Sequence, residues 1–265
     1  MSGTQQPRLA VLVPGGSGQL GRALLDAGAD EGDRIRVRAP GSDELDLTRP
    51  GAVVEALADL AAGAREAGRL PVVVNAAAYT DVDAAEDDED RAFAVNVDGP
   101  RVLAAVCSSR RVPLVHVSTD YVFGGDADRA AVGPYGPDDP LRPRTAYGRT
   151  KAAGEDAVLG SGAAAWIVRT AWLYGGGDTD FVATMARLEA ERDTVSVVDD
   201  QTGSPTYAPD LARGLLELAG RVAAGDGPAR SVLHCVNTGT ATWYDLARAV
   251  FTGLGADPDR VRPCG

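Results

Sequence analysis

The chain has 265 residues, is 45% hydrophobic and 24% charged, and carries a formal net charge of −12. That length suits one large α/β domain or two smaller ones, and the acidic balance argues against nucleic acid as a partner while permitting an anionic small ligand held by local amides and arginines. No stretch approaches the ~20 apolar residues of a membrane span. The short polar start does not resemble a signal peptide, and three scattered cysteines, Cys107, Cys235 and Cys264, fit reduced thiols rather than a metal site; a cytoplasmic protein without membrane contact is expected.

Residues 8–13 form a short apolar run, read as a buried strand. Gly15-Gly16-Ser17-Gly18-Gln19-Leu20-Gly21 follows at once, and residues 22–29 read as a helix. A strand, a glycine-rich turn and a helix form the context in which this spacing predicts dinucleotide binding, because a side chain there would keep the backbone from a pyrophosphate. A second strand is expected over 34–38. No clear acidic residue ends it; Arg38 stands there instead and suits a 2′-phosphate, although Asp43, Glu44 and Asp46 lie close by.

An Ala/Leu-rich helix is expected over 50–66 and a third strand over 72–75, running into Ala76-Ala77-Ala78-Tyr79-Thr80, whose small residues admit a flat ring. Residues 81–90 are acidic and read as a solvated first helical turn. The helix after them should cover 91–110, with Asn96 inside. A fourth strand over 112–117 ends in Ser118-Thr119-Asp120-Tyr121, at the strand edge where such sheets bind ligands. His116 reads as a buried residue with no catalytic part. Residues 124–144 form a loop rich in Gly, Pro and Asp.

Thr145-Ala146-Tyr147-Gly148-Arg149-Thr150-Lys151 opens the next helix, expected to end near Gly160. The chain has 26 basic residues, and Lys151 is its single lysine. Tyr147 and Lys151 at i and i+4 share a helix face. An ammonium there favours the phenolate, which would make the phenol a better proton donor near neutral pH. Beyond a fifth strand over 165–170 the β-α alternation loosens. An aromatic turn is expected over 171–175, helices over 181–191, 210–223 and 242–254, strands over 195–198 and 232–236, a polar loop over 199–206, and polar coil from 257 to 265.

With these pieces placed, the chain resembles the dTDP-4-dehydrorhamnose reductase family of extended short-chain dehydrogenase/reductases. The resemblance rests on residues 15–21, 75–82, 95–97, 118–123, 147–151 with Glu155, 169–174, 200–206 and 242–244. It implies a Rossmann-like doubly wound parallel sheet over 1–170 and a small α/β substrate-binding region over 171–265, some of whose segments return to the first domain. It further implies reduction of the C4 keto group of a dTDP-4-keto-6-deoxyhexose, with NADP(H) preferred over NAD(H). Tyr147 would donate the proton, Lys151 would bind the nicotinamide ribose, and Thr119 would assist at the carbonyl. Gly15, Ser17, Gly18, Gln19, Leu20, Gly21, Arg38, Asp46, Leu47, Ala76, Ala77, Ala78, Tyr79, Thr80 and Asn96 would line the cofactor, together with Tyr147 and Lys151. Thr119, Asp120, Tyr121, Trp172, Gln201, Ser204 and Thr206 would meet the sugar nucleotide.

Family members usually continue past residue 265, so a truncated C-terminus is expected. Some relatives dimerise through acidic groups and a metal; no such groups are identified here, which leaves Mg2+ and the choice between monomer and homodimer open. The related 4,6-dehydratases place Glu after the Thr-Asp pair, where this chain has Tyr121, which favours reduction over dehydration. The alternative is a non-catalytic NADP-binding regulatory subunit on the same fold, and the intact Thr119, Tyr147 and Lys151 set weighs against it.

Overall fold

The computed structural model describes residues 7–125, 133–177 and 179–265. Its elements are β1 (Leu9–Leu12), α1 (Gln19–Asp30), β2 (Ile35–Arg38), α2 (Pro50–Glu66), β3 (Leu70–Asn75), α3 (Val82–Asp87), α4 (Glu89–Phe93), α5 (Gly99–Arg110), β4 (Leu114–Thr119), α6 (Ala146–Leu159) and β5 (Ala165–Thr170). They continue with β6 (Leu173–Tyr174), α7 (Phe181–Glu191), β7 (Val195–Val198), β8 (Thr202–Gly203), β9 (Thr206–Tyr207), α8 (Ala208–Ala223), β10 (Val232–His234), β11 (Ala241–Thr242), α9 (Trp243–Gly253) and β12 (Val261–Cys264). Two compact units result, one of residues 1–170 and 212–235, the other of 171–211 and 236–265.

The first unit is a six-stranded sheet in the order β10-β5-β4-β3-β1-β2, parallel throughout. Its strands are short apolar runs because helices cover both faces. Leu12, Val73, Leu114 and Ile167 pack with Leu57 of α2, Leu103 and Cys107 of α5 and Val158 of α6 in one buried cluster. On the other face α1 approaches β2 so closely that a Cβ on Gly28 would lie 2.3 Å from a Val37 methyl. Every strand therefore delivers its carboxyl end to one edge, where the segments 13–18, 76–81 and 120–123 follow β1, β3 and β4.

The second unit is built from two- to four-residue ladders. β6 pairs with β9 and β7 with β12 in parallel, and β8 pairs with β11 antiparallel. Met185, Val195, Val197, Ala247, Phe251 and Val261 make its core. A capping box between Thr242 and Asp245 starts α9, as the sequence Thr-Trp-Tyr-Asp permits.

Three expectations are corrected. The acidic run is not one solvated turn: Asp81 accepts from the Ala84 amide and Asp88 from the Arg91 amide, so each caps its own short helix, α3 and α4. The helix expected over 91–110 is interrupted by a π-turn over Ala94–Asp98 before α5 begins. The tail is not coil, since residues 258–260 form a 3-10 turn and β12 pairs with β7 through Val261↔Val195. Alternation is hidden there because only Val261 of that strand is buried. The loop expected over 124–144 falls partly on 126–132, outside the described residues.

Candidate active site

Gly18 is the N-cap of α1, so the first free amides of that helix follow the glycine turn. Gly15 has φ +87°, a conformation that a side chain disfavours. A Cβ on it would stand 2.6 Å from the Ala77 amide nitrogen, and one on Gly21 would stand 2.3 Å from the Gly15 carbonyl. The turn is thus pressed against the 76–78 segment on one side and its own helix on the other. These are the features that let a backbone approach a dinucleotide pyrophosphate.

The other residues expected at the cofactor are placed less uniformly. Arg38 is exposed at the end of β2 and lines a concavity of about 700 Å³ with Arg36, Leu60 and Arg69. Asp46 accepts from the amide and hydroxyl of Thr48 at 2.9 and 2.7 Å; those hydrogen bonds hold its carboxyl below the ordinary value. The Leu47 side chain is buried in the core beside Gly99, so only its backbone is free to line a ligand. Ser17 is exposed and Leu20 is buried.

Asn96 sits in the π-turn at 1% exposure. Its Oδ1 accepts from the Tyr79 amide at 2.9 Å, and its Nδ2 donates to the Tyr79 carbonyl and the Thr150 hydroxyl at 3.1 Å each. The side chain is spent on protein, so it ties the 76–80 segment to α6 instead of reaching outward. Such π-turns often aim a functional side chain.

Helix α6 carries the Tyr147/Lys151 pair. Thr145 caps it by accepting from the Gly148 amide at 3.0 Å, and Glu86 accepts from the Ala146 amide at 2.7 Å. Two glycines, each costing about 1 kcal/mol of helix propensity, explain its close approach. A Cβ on Gly148 would lie 2.3 Å from the Tyr121 carbonyl, and one on Gly154 would lie 2.2 Å from the Asn96 carbonyl. The glycines therefore seat α6 against the turn after β4 and against the π-turn, with Tyr147 one residue from the first contact.

Lys151 is 2% exposed and donates to the Val117 carbonyl at 2.8 Å. Burial pulls its ammonium down to about 8, against the opposing pull of the Glu155 carboxylate. The Tyr147 phenol is pushed well above its ordinary value, first by burial; a hydrogen bond with Thr119 opposes this, and the Asp120 carboxyl adds to it. The expected lowering by Lys151 does not appear: desolvation decides, and the ammonium gives one of its three donors to the Val117 carbonyl. The phenol is consequently a fully protonated donor at neutral pH. Tyr121 meets Tyr147 edge-on at 5.4 Å.

Thr119 donates to Asp120 Oδ1 at 3.1 Å. Burial pushes the Asp120 carboxyl up to about 6, despite hydrogen bonds from Thr119 and the backbone. Sequence reading missed this titrating group as such, because an Asp in a polar strand-end motif gives no sign of its desolvation. In the sequence, Glu155 and Arg169 stand only as parts of the resemblance, with nothing to pair them; the Glu155 carboxylate takes Arg169 of β5 at 2.9 and 2.7 Å. That pair is buried on both sides, and Arg169 further donates to the Pro137 carbonyl at 3.1 Å.

Trp172, Gln201, Ser204 and Thr206 lie in the second unit. Trp172 is a non-glycine residue at φ +46°, a strained conformation of the kind that marks functional positions. Its ring stacks on Trp243 at 3.6 Å and 7°, and a Cβ on Gly203 would strike it at 2.4 Å. The Trp243 indole N–H reaches Gln201 Oε1 at 3.3 Å, and the Thr206 amide donates to the Trp172 carbonyl at 3.1 Å. Trp172, Gln201 and Thr206 are thereby brought together, with Ser204 bonded to the Gly239 carbonyl. Among the described residues no group of three or more His, Cys, Asp or Glu side chains could hold a metal, and no helix is long and apolar enough to cross a membrane.

Comparison with known proteins places this geometry. The family model described as RmlD substrate binding domain matches residues 9–265. The dTDP-4-dehydrorhamnose reductase of Streptomyces griseus is 49% identical over 261 residues, which span 97% of this chain and 80% of that protein. The dTDP-4-keto-6-deoxy-D-glucose reductase of Streptomyces niveus is 46% identical over 258 residues, 95% of this chain and 81% of that one. The crystal structure of dTDP-4-dehydrorhamnose reductase from Bacillus anthracis in complex with NADP superposes with a TM-score of 0.82 at 33% identity, covering 97% of this chain and 84% of the other. The chain belongs to the RmlD family, that of the dTDP-4-dehydrorhamnose reductases.

Proposed function

We propose that the protein reduces the C4 keto group of a dTDP-4-keto-6-deoxyhexose with a nicotinamide cofactor. The observation that carries the reading is the assembly of Thr119, Tyr147 and Lys151 at the carboxyl end of β4, in a chain whose glycine turn leaves no room for side chains against the 76–78 segment. The residues present fit a dinucleotide: close backbone approaches at Gly15 and Gly21, the α1 amides, and the walls supplied by residues 76–80. When bound, the reduced nicotinamide supplies the hydride that is added to C4.

The chain's own residues do the rest. Tyr147 Oη gives its proton to the carbonyl oxygen, so the C=O bond becomes CH–OH and the phenolate is left behind. Thr119, hydrogen-bonded with that phenol, helps hold the carbonyl oxygen and the phenol in one place. Lys151 stabilises the phenolate and holds the ribose; with a value near 8 it keeps most of its charge at pH 7. Arg38 supports a preference for NADP(H), since its guanidinium suits a 2′-phosphate and no acidic residue occupies its position. Trp172, Gln201, Ser204 and Thr206 are assigned to the sugar nucleotide.

The reading is tested by following NADPH and NADH oxidation with a panel of dTDP-4-keto-6-deoxy sugars and identifying the C4 epimer formed. Oxidation driven by one of them supports it. Cofactor binding with no oxidation by any of them overturns it in favour of a binding role.

A further inference from the structure

β3 and β4 carry a buried polar pair that the reduction does not use. Asn75 and His116 are register partners on adjacent parallel strands, so their side chains leave the same face. Both are 0% exposed. Asn75 Nδ2 lies 3.0 Å from His116 Nδ1, and Asn75 Oδ1 accepts from the Ala77 amide at 3.1 Å.

The second bond decides the first. A backbone N–H needs the amide oxygen, so the Asn75 nitrogen is the atom that faces the ring. An amide nitrogen only donates, and His116 Nδ1 must therefore offer its lone pair. The ring proton is then on Nε2, and an imidazolium would set two donors face to face. Burial and the neighbouring Lys151 ammonium of α6 both disfavour that cation.

Ala77 gives this tautomer a task. Its amide is the group against which Gly15 is pressed, where a Cβ would stand only 2.6 Å away. The bonds run from the imidazole through Asn75 to the segment that backs the glycine turn. We propose that His116 is a positioning residue for the cofactor: as a neutral imidazole protonated on Nε2, it orients Asn75, which holds Ala77 against Gly15. The proposal deepens the functional reading and rests on it for the identity of the ligand at the turn. A packing histidine with no such part would leave cofactor affinity alone.

Two measurements test it. The chain has two histidines, so a ¹⁵N-histidine-labelled sample shows two rings, and a His234→Gln variant assigns them. His116 is expected to stay neutral from pH 5 to pH 8 with its proton on Nε2 and a bare Nδ1; a proton on Nδ1, or ordinary titration near 6.5, overturns the proposal. NADPH titration followed by fluorescence then reads the consequence. His116→Leu should weaken binding about tenfold, the worth of one lost buried hydrogen bond. His116→Gln, whose amide oxygen can accept from Asn75, should recover most of it. Equal weakening in both variants, or none in either, sinks the proposal. Should His116→Leu not fold, the tautomer and the Gln variant still decide. Failure of the unmodified protein to bind NADPH or NADH while the tautomer is as expected would instead overturn the dinucleotide reading.

Discussion

The two units hold their functional side chains by different means. In the first, a continuous parallel sheet presents Thr119 and Asn75 at its edge, and buried polar contacts lock the helix above them: Glu155 with Arg169, Asn96 with Tyr79 and Thr150. In the second, ladders of two to four residues carry little backbone order, and aromatic stacking packs the Trp172 side chain. Trp172, at φ +46°, has its ring packed on Trp243 and against the Gly203 backbone. The difference teaches that the proposed proton-transfer site is built on groups that cannot shift without leaving buried charge or polar atoms unpaired. The surface proposed to select among sugars is built from contacts that can be repacked one ring at a time.

That contrast can be broken first at the ion pair. Glu155→Leu leaves the Arg169 guanidinium buried without its carboxylate, and the protein should lose about 3–5 kcal/mol of stability. Chemical denaturation checks this, and a loss below about 1 kcal/mol would mean that water reaches the pair. Trp243→Ala in the second unit should cost less, about 2 kcal/mol, because the ring is only partly buried. It should raise the KM for the sugar nucleotide while leaving NADPH affinity unchanged, and a change in NADPH affinity instead would contradict the division of labour.

Asp120 offers an effect that depends on pH. Its carboxyl is raised to about 6 by burial, so the folded state favours the neutral form. The stability this provides is complete below about pH 4 and is lost as pH rises through 6. Asp120→Asn stays neutral throughout. The variant should therefore exceed the parent by about 3 kcal/mol at pH 8 and match it below pH 4. Parallel melting-temperature profiles for the two proteins would show that the carboxylate is well solvated.

Much of the first unit was legible because its signals are local. Apolar runs gave the strands, the glycine spacing gave the turn, and a single lysine four residues after a tyrosine gave the pair that α6 carries to the end of β4. The π-turn over Ala94–Asp98 was not legible, since Asn96 is placed by contacts to Tyr79 and Thr150 that are 17 and 54 residues away. The strand at Val261–Cys264 was hidden for the same kind of reason: its partner is β7, and its exposed residues read as coil. The Tyr147 titration was misjudged because helix spacing reports proximity to Lys151 and says nothing about desolvation or about the Val117 carbonyl that the ammonium meets.

The claim that Tyr147 is the proton donor is tested most directly by Tyr147→Phe, comparing turnover with NADPH affinity in one preparation. The account predicts a loss of turnover of at least about a hundredfold with cofactor binding unchanged, because the ring is kept and only the hydroxyl is removed. Turnover close to that of the parent would contradict it.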